Sequence, residues 1–409
     1  GTIPAYDPKP IAPPAGWDRK TMGFPDSWGE KPLFSITAQN AAQHADKLDG
    51  MVEVFKKYPT FRMDVYPGHR AIPFPKTVVD NTNKNATGCK AMDDGLKLEG
   101  CVNGGMPFPI PKTGREEMWN KLLTYQSFAG TTNHLTTYVT PPSGVPALQS
   151  VLDLVAQFPF YDPAKAGTLA KGTDLFYTVR ADFIGPARQV GTKLVLTYFV
   201  DQQLGSRIYQ YIPGQRRVKL APDLNYDTPA PTSGGASTMD EQSGFLGALD
   251  RFDFKLVGKK EKFISYNNNK LTDPRACPDD KVVTPKNFPN PDCQRWELHR
   301  VWVVEGKLKP GLRHIYQRRM FYWDEDTHAA GSAEGYDSSG KLYRIVNLIS
   351  YPFFNAEGSD SRSSFFMDLQ TGIWHLSGGM GTDGAAWYPG PKKSDNFFSP
   401  EALAGEGIR

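Results

Sequence analysis

No run of about 18 apolar residues occurs among the 409, and mean hydropathy is −0.48, so the sequence offers no membrane-spanning helix. Neither charge is in excess: 47 Lys and Arg against 44 Asp and Glu leave +3, which removes the electrostatic reason to expect a nucleic-acid partner. G-x-S-x-G, H-E-x-x-H and Walker A sequences are all absent, and with them the commonest hydrolase, metalloprotease and NTPase signals. Cysteine is scarce, with four residues, no C-x-x-C spacing and no accompanying His cluster, so zinc is not expected. Neither a metal, a cofactor nor a catalytic residue is nominated. Gly379-Met-Gly381-Thr-Asp-Gly384 has the spacing of a dinucleotide fingerprint but lacks the following helix, and it reads as a Gly-rich tail.

The four cysteines fall into two local pairs, Cys89 with Cys101 and Cys277 with Cys293, in loops rich in Gly, Asp, Pro and Asn. Loop-closing disulfides are expected, each stabilising by roughly 3 kcal/mol. They imply an oxidising compartment, the bacterial periplasm or the cell exterior. The opening Gly1-Thr-Ile-Pro4 reads as the start of a processed chain whose signal peptide has been removed.

Glycine (39) and proline (34) make up about 18% of the chain against a usual ~12%, which favours many short strands over a helical bundle. Residues 1–32 carry Pro4, Pro8, Pro10, Pro13, Pro14, Pro25 and Pro32 with Trp17 and Trp28, and predict an extended arm lying along a surface. Helical stripes are expected after Thr37 (Ala41, Ala45, Leu48, Val52, Phe55), after a capping box at Thr113–Glu116 (Met118, Trp119, Leu122, Leu123), and from Pro146 (Leu148, Val151, Leu152, Val155, Phe158).

From about residue 172 the period changes to 2, and strands are predicted at 174–184, 193–203, 206–212, 216–220, 252–264, 296–305, 313–324, 331–337, 342–349, 364–369 and 372–376. Short turns between alternating strands mean an antiparallel meander, and that many strands must curl. Segment 221–250 interrupts them and reads as a mobile flap whose Phe245-Leu246 covers the mouth of the curled sheet. Asp324-Glu-Asp326 reads as a solvated hairpin turn. His299 and His314 fall on predicted strands, where a structural imidazole is the ordinary explanation, although a His–carboxylate pair for acid–base work stays open.

The strands are rich in aromatics. Two readings stand: plain core filling, or a curled sheet enclosing an apolar cavity. If it is a cavity, alternation puts Tyr177, Val179, Leu196, Tyr198, Trp302, Val304, Met320 and Tyr322 on its wall as ligand-binding residues.

Lys31–Asn40 (KPLFSITAQN), Tyr58–Pro67 (YPTFRMDVYP), Gly105–Pro111 (GMPFPIP), Trp119-Asn120, Tyr211–Val218 (YIPGQRRV) and Val301–Glu305 (VWVVE) resemble the bacterial family known as domain of unknown function 1329. The resemblance spans about residues 1–380. More distantly, the Tyr211–Val218 strand and the hairpin running from Phe321-Tyr-Trp to Tyr343-Arg344 resemble outer-membrane lipoprotein-sorting proteins of the LolA/LolB type. That resemblance implies a mainly β fold with some α: an open antiparallel β-barrel over 166–380, wrapped by a Pro-rich arm and helices over 1–165, with a Gly/Pro-rich tail over 381–409. It also implies a periplasmic carrier associated with the outer membrane. Its cargo would be a lipophilic molecule or acyl chain, and its partners a resistance-nodulation-division-type permease and an outer-membrane protein. Burial of about ten methylenes at ~0.8 kcal/mol each would supply the affinity. A periplasmic hydrolase or lyase and a solidly packed structural envelope protein are the alternatives.

Overall fold

The computed structural model describes residues 2–9, 12–19, 27–70, 72–354, 357–380 and 387–405. Among them sixteen strands share one sheet. Three are short additions: Phe34–Ile36 and Met63–Val65 at one flank, and Tyr388–Pro389 beside a central strand. The remaining thirteen are, in chain order, β1 (Ala129–Thr140), β2 (Ala147–Gln157), β3 (Leu175–Gly185), β4 (Lys193–Phe199), β5 (Arg207–Ile212), β6 (Arg217–Leu220), β7 (Phe252–Ser265), β8 (Trp296–Leu308), β9 (Arg318–Asp324), β10 (Gly331–Tyr336), β11 (Leu342–Leu348), β12 (Ser364–Asp368) and β13 (Trp374–Gly379).

In space they run β7-β8-β9-β10-β11-β12-β13-β1-β2-β3-β4-β5-β6, each antiparallel to its neighbours. Every strand therefore lies beside its neighbour in sequence, except that β13 pairs with β1, with Trp374 opposite Thr140 and Ser377 opposite Thr137. The sheet stays open between β6 and β7, and residues 221–251 join those two edges. The protein is mainly β with short helices, on a large open antiparallel sheet.

The strands predicted from alternation are present within a few residues of their expected ends, the 313–324 strand starting only at Arg318. Both cysteine pairs are joined, Cys89–Cys101 and Cys277–Cys293. The helix Gly114–Leu122 follows Thr113, whose side chain accepts the Glu116 N–H at 3.2 Å, and it buries Met118, Trp119 and Leu122.

Two expectations are corrected, and one helix was not expected. The helix expected from Pro146 is strand β2. Its outer face is covered as well as its inner one, since Val155 packs on the cluster of Val195, Tyr211, Phe398 and Leu403. An apolar run buried on both faces imitates helical spacing. The sheet consequently takes β1 and β2 from the segment before residue 166. The stripe after Thr37 is broken into a turn of helix over Ala45–Leu48 and α1 (Met51–Lys57). Asp49 between them has φ 52°, and the Gly50 N–H donates to Glu334 at 2.8 Å. Finally, α2 (Lys76–Gly88) has no apolar stripe to announce it. Its buried side includes Asn85, which accepts from the Val102 N–H at 2.7 Å and donates to the carbonyls of Val102 and Gly105.

In the N-terminal arm, the Asp7 N–H donates to the Arg70 carbonyl, and Trp17 meets Phe354 edge-on at 6.0 Å. Pro10, Pro25 and the Gly381–Gly384 part of the Gly-rich motif lie outside the described residues.

Candidate functional site

The inner face of the sheet is filled on one half and hollow on the other. Toward β8–β12, Val304, Phe321, Trp323 and Phe366 are buried in one cluster with Phe245 from the 221–251 segment. Phe245 packs edge-on against Phe321 at 5.6 Å and Phe254 at 6.0 Å. The preceding Gly244 has φ +81°, and a Cβ there would stand 2.9 Å from the Trp323 ring. Only glycine allows the segment to lie this close to the sheet.

Toward β1–β4 the interior holds a cavity of about 130 Å³. Its sheet wall includes Leu135, Leu152 and Leu154, then Tyr177, Val179 and Ala181, then Leu194 and Leu196, with Thr132, Thr137 and Ser377 among them. Its other wall is the 221–251 segment, through Pro231, Thr232, Met239, Gln242, Ser243 and Leu246. An annex of about 30 Å³ shares Tyr177, Ser243, Leu246 and Arg362 with it and adds Lys121, Leu122, Gln126 and Phe158. For scale, an apolar protein cavity of about 150 Å³ holds benzene. The space suits a body of about six carbons, smaller than the ten-methylene chain contemplated from the sequence.

The segment that closes this cavity is not a loose flap. Met239, Asp240, Glu241 and Phe245 are buried. The Asp240 carboxylate accepts from Arg319 at 2.7 Å, His314 at 3.0 Å and the Thr238 hydroxyl at 2.8 Å. Glu241 accepts from Arg344 at 2.6 Å, from the Tyr316 hydroxyl, and from the Thr238 N–H at 2.8 Å. Composition hid this anchoring, because it rests on two carboxylates paired with arginines of distant strands rather than on apolar area. The segment is a plug.

The far end of the cavity is polar. Asp360 accepts from Arg362 Nε at 2.7 Å and from the Tyr351 hydroxyl at 2.7 Å, and the Arg362 guanidinium sits 3.7 Å from the centre of the Trp387 ring. Nη1 and Nη2 of Arg362 are buried with no hydrogen-bond partner among the described residues. In the annex, Lys121 Nζ donates to the Ala329 carbonyl at 2.8 Å and lies 4.6 Å from the centre of the Trp323 ring. Burial pushes its pKa down to about 7 against the pull of Asp360 and Glu117. Burial likewise pushes the Tyr177 phenol up to about 12, with Arg362 drawing it the other way.

Comparison with known proteins places this architecture. A family model described as a protein of unknown function (DUF1329) matches residues 35–404. The chain belongs to the DUF1329 family. A relative from Pseudomonas aeruginosa, carrying the name Uncharacterized protein PA3922, is 34% identical over 420 residues, which span 100% of this chain and 89% of the relative. A solved Vibrio parahaemolyticus structure, described as a "putative outer membrane lipoprotein-sorting protein domain", is 13% identical with a TM-score of 0.45, over 71% of this chain and 97% of that one. A DUF1329 family protein from Desulfovibrio piger is 14% identical with a TM-score of 0.43, over 68% and 92% of the two chains. A LolA superfamily protein from Nitrosomonas europaea, NE2245, is 11% identical with a TM-score of 0.39, over 71% and 100%.

Of the eight wall residues nominated from the sequence of this DUF1329 chain, Tyr177, Val179 and Leu196 line the cavity. Tyr198 is buried in the same cluster, 6.1 Å from Tyr177, but does not line it. Val304 lies in the filled half, and Trp302 is half-buried beneath the Lys259 ammonium at 4.2 Å. Met320 and Tyr322 point to the other face of the sheet, with Val301 and Val303. The register of β9 is thus opposite to the expected one. Phe321-Tyr-Trp323 is apolar on both faces, and the Tyr322 hydroxyl settles outward on Glu334 at 3.3 Å under Lys262. Sequence reasoning missed the plug's Met239 and Leu246 as wall residues, and Arg362 altogether.

His299 and His314 are each paired with carboxylates, as are His69 with Glu30 and His328 with Glu117. His299 meets Asp324 at 3.0 Å through Nδ1 and Glu297 at 3.2 Å through Nε2, and His314 spends Nε2 on Asp240 and Nδ1 on the Tyr316 N–H. Neither ring borders the cavity. In the Asp324–Asp326 turn Asp324 is buried, and Glu325 and Asp326 are partly covered. His299, Asp324 and Asp326 bring ligand atoms within 4.8 Å of one another, yet Asp326 is already clamped by Arg70 at 2.7 and 2.8 Å, and the second oxygen of Asp324 accepts from Thr327. Arg70 and the imidazolium supply the positive charge that a metal would bring.

Proposed function

We propose that this protein is a non-enzymatic periplasmic carrier that shelters the apolar body of a lipophilic molecule between the inner face of β1–β4 and the 221–251 plug. The observation that carries this reading is the contrast inside one sheet. Next to a half filled by Phe245, Phe321 and Trp323 stands a half with leucine, valine and tyrosine walls around unfilled space.

The two disulfides favour an oxidising compartment and hence the periplasm. Among the described residues no helix is long and apolar enough to cross a membrane. In this reading cargo is exchanged with membrane proteins, a permease on one side and an outer-membrane protein on the other, and the plug must shift for entry and release.

Native mass spectrometry of protein purified without detergent tests the reading. A lipophile released on unfolding is the expected result. A ligand-free spectrum that also stays unchanged after incubation with a lipid extract would overturn it.

A further inference from the structure

The cavity's polar end has more to say than its walls. A buried guanidinium normally spends its donors on protein partners, because an unsatisfied buried donor carries its full desolvation cost. Arg362 does not. Asp360 engages only Nε, and the Trp387 ring holds one face of the plane, while Nη1 and Nη2 are sealed from solvent and unpartnered among the described residues. These two nitrogens form the end-on edge of the fork, whose two in-plane donors match the paired oxygens of a carboxylate or phosphate. Arg362 borders both the main cavity and the annex, so its side chain stands where the apolar space ends, and a head group reaches the covered Nη1 and Nη2 by displacing the groups packed over them.

We propose that the cargo is an anionic amphiphile, its apolar tail in the cavity between β1–β4 and the plug, its carboxylate or phosphate head docked on Nη1 and Nη2 of Arg362. The inference rests on the carrier reading and sharpens it to a ligand class. A neutral alcohol offers one oxygen and no charge to this pair of donors, where a carboxylate or phosphate offers two charged oxygens in matching geometry, and a hydrocarbon offers nothing. Lys121, across the annex, adds a second positive group at this end, and an anion held near it would favour its charged form over the neutral one that burial favours in the empty site.

Calorimetric titration with hexanoate, hexyl phosphate and hexanol at neutral pH tests this, the six-carbon tails being matched to the cavity. At least one anion is expected to bind about 10- to 100-fold more tightly than hexanol, and the tighter of the two anions distinguishes a carboxylate from a phosphate head. In Arg362→Gln the preference should fall to near unity, and a cooperative thermal melt reports that the variant is still folded. If that variant does not fold, the double variant Asp360→Asn/Arg362→Gln removes the pair together and carries the same readout. Hexanol binding as tightly as both anions would overturn the head-group assignment and leave the carrier reading standing. An anion preference that survives in Arg362→Gln would overturn the role of Arg362. No binding of any of the three, with no lipophile co-purifying, would overturn the carrier reading itself.

Discussion

The guanidinium of Arg319 donates to the carboxylate of Asp240 at 2.7 Å, and the two side chains are 2% and 4% exposed. This pair joins the inner face of β9 to the 221–251 segment, which links the two open edges of the sheet. With the Arg344–Glu241 pair at 2.6 Å, it determines where the plug sits and therefore how large the cavity is.

Removing one partner of such a pair leaves the other charge buried and unpaired, which costs about 3–5 kcal/mol. Asp240→Asn is therefore expected to lower unfolding stability by that amount in urea titration, whereas Asp240→Asn/Arg319→Met should recover much of it. Burial opposes the charge on Asp240, but Arg319 and His314 hold its carboxyl well below the usual carboxylate range. A depressed folded-state pKa gives stability that is present above the unfolded value, ~3.9, and is lost as pH falls toward the folded one. The urea midpoint should drop below about pH 4 in the native protein and less steeply in Asp240→Asn. Parallel curves would show that the pair does not anchor the plug.

His299 gives the opposite sign. Its burial works against the charge, yet the hydrogen bonds to Asp324 and Glu297 prevail and lift its pKa to about 9. A raised folded-state pKa gives stability that is complete below ~6.5 and is lost as pH rises through 9, worth roughly 3 kcal/mol in all. Thermal melting between pH 6 and 10 should show this loss, and His299→Gln should abolish it. An imidazole resonance titrating near 6.5 would show that the carboxylates do not prevail.

Filling the cavity separates a hollow interior from a packed one. Val179→Trp or Leu196→Trp would cost about 1–3 kcal/mol in a tight core. In this protein both side chains border open space, so the melting temperature should change little while uptake of hexanoate, followed by calorimetry, is lost. Strong destabilisation with uptake intact would place the ligand elsewhere.

Thiol titration under denaturing, non-reducing conditions should find no free cysteine. The bridges close loops with sequence separations of 12 and 16 residues, so opening either should cost roughly 3 kcal/mol. Reactive thiols in the native protein would remove the argument for an oxidising compartment.

Much of the sheet was legible because alternation is local. Leu194, Leu196 and Tyr198 announce their shared burial within five positions of one another. The failures occur where burial depends on something remote. β2 reads as a helix because Phe398 and Leu403, far along the chain, cover its second face. The plug reads as loose because Asp240 and Glu241 look like surface acids until Arg319 and Arg344 are brought to them. Arg362, in the Ser359–Ser364 run of small polar residues, has the composition of a solvated loop. What marks it is a pair of donors left over after folding, which no sequence pattern encodes. Three of the eight nominated wall residues line the cavity, all on β3 and β4, where one face is clearly more apolar. On β9 both faces are apolar, and alternation alone cannot choose between them.

The pairing of β13 with β1 also bears on how the molecule is made. Whichever order the strands arrive in, β1 keeps a bare edge of backbone donors and acceptors until β13, more than 230 positions further along the chain, pairs with it. Such long-range closure is slow, and an unpaired edge is a template for association with other chains. The folding chain is therefore most open to aggregation before β13 docks on β1. A chain cut short before Trp374 would lack the seam that joins the two halves of the sheet.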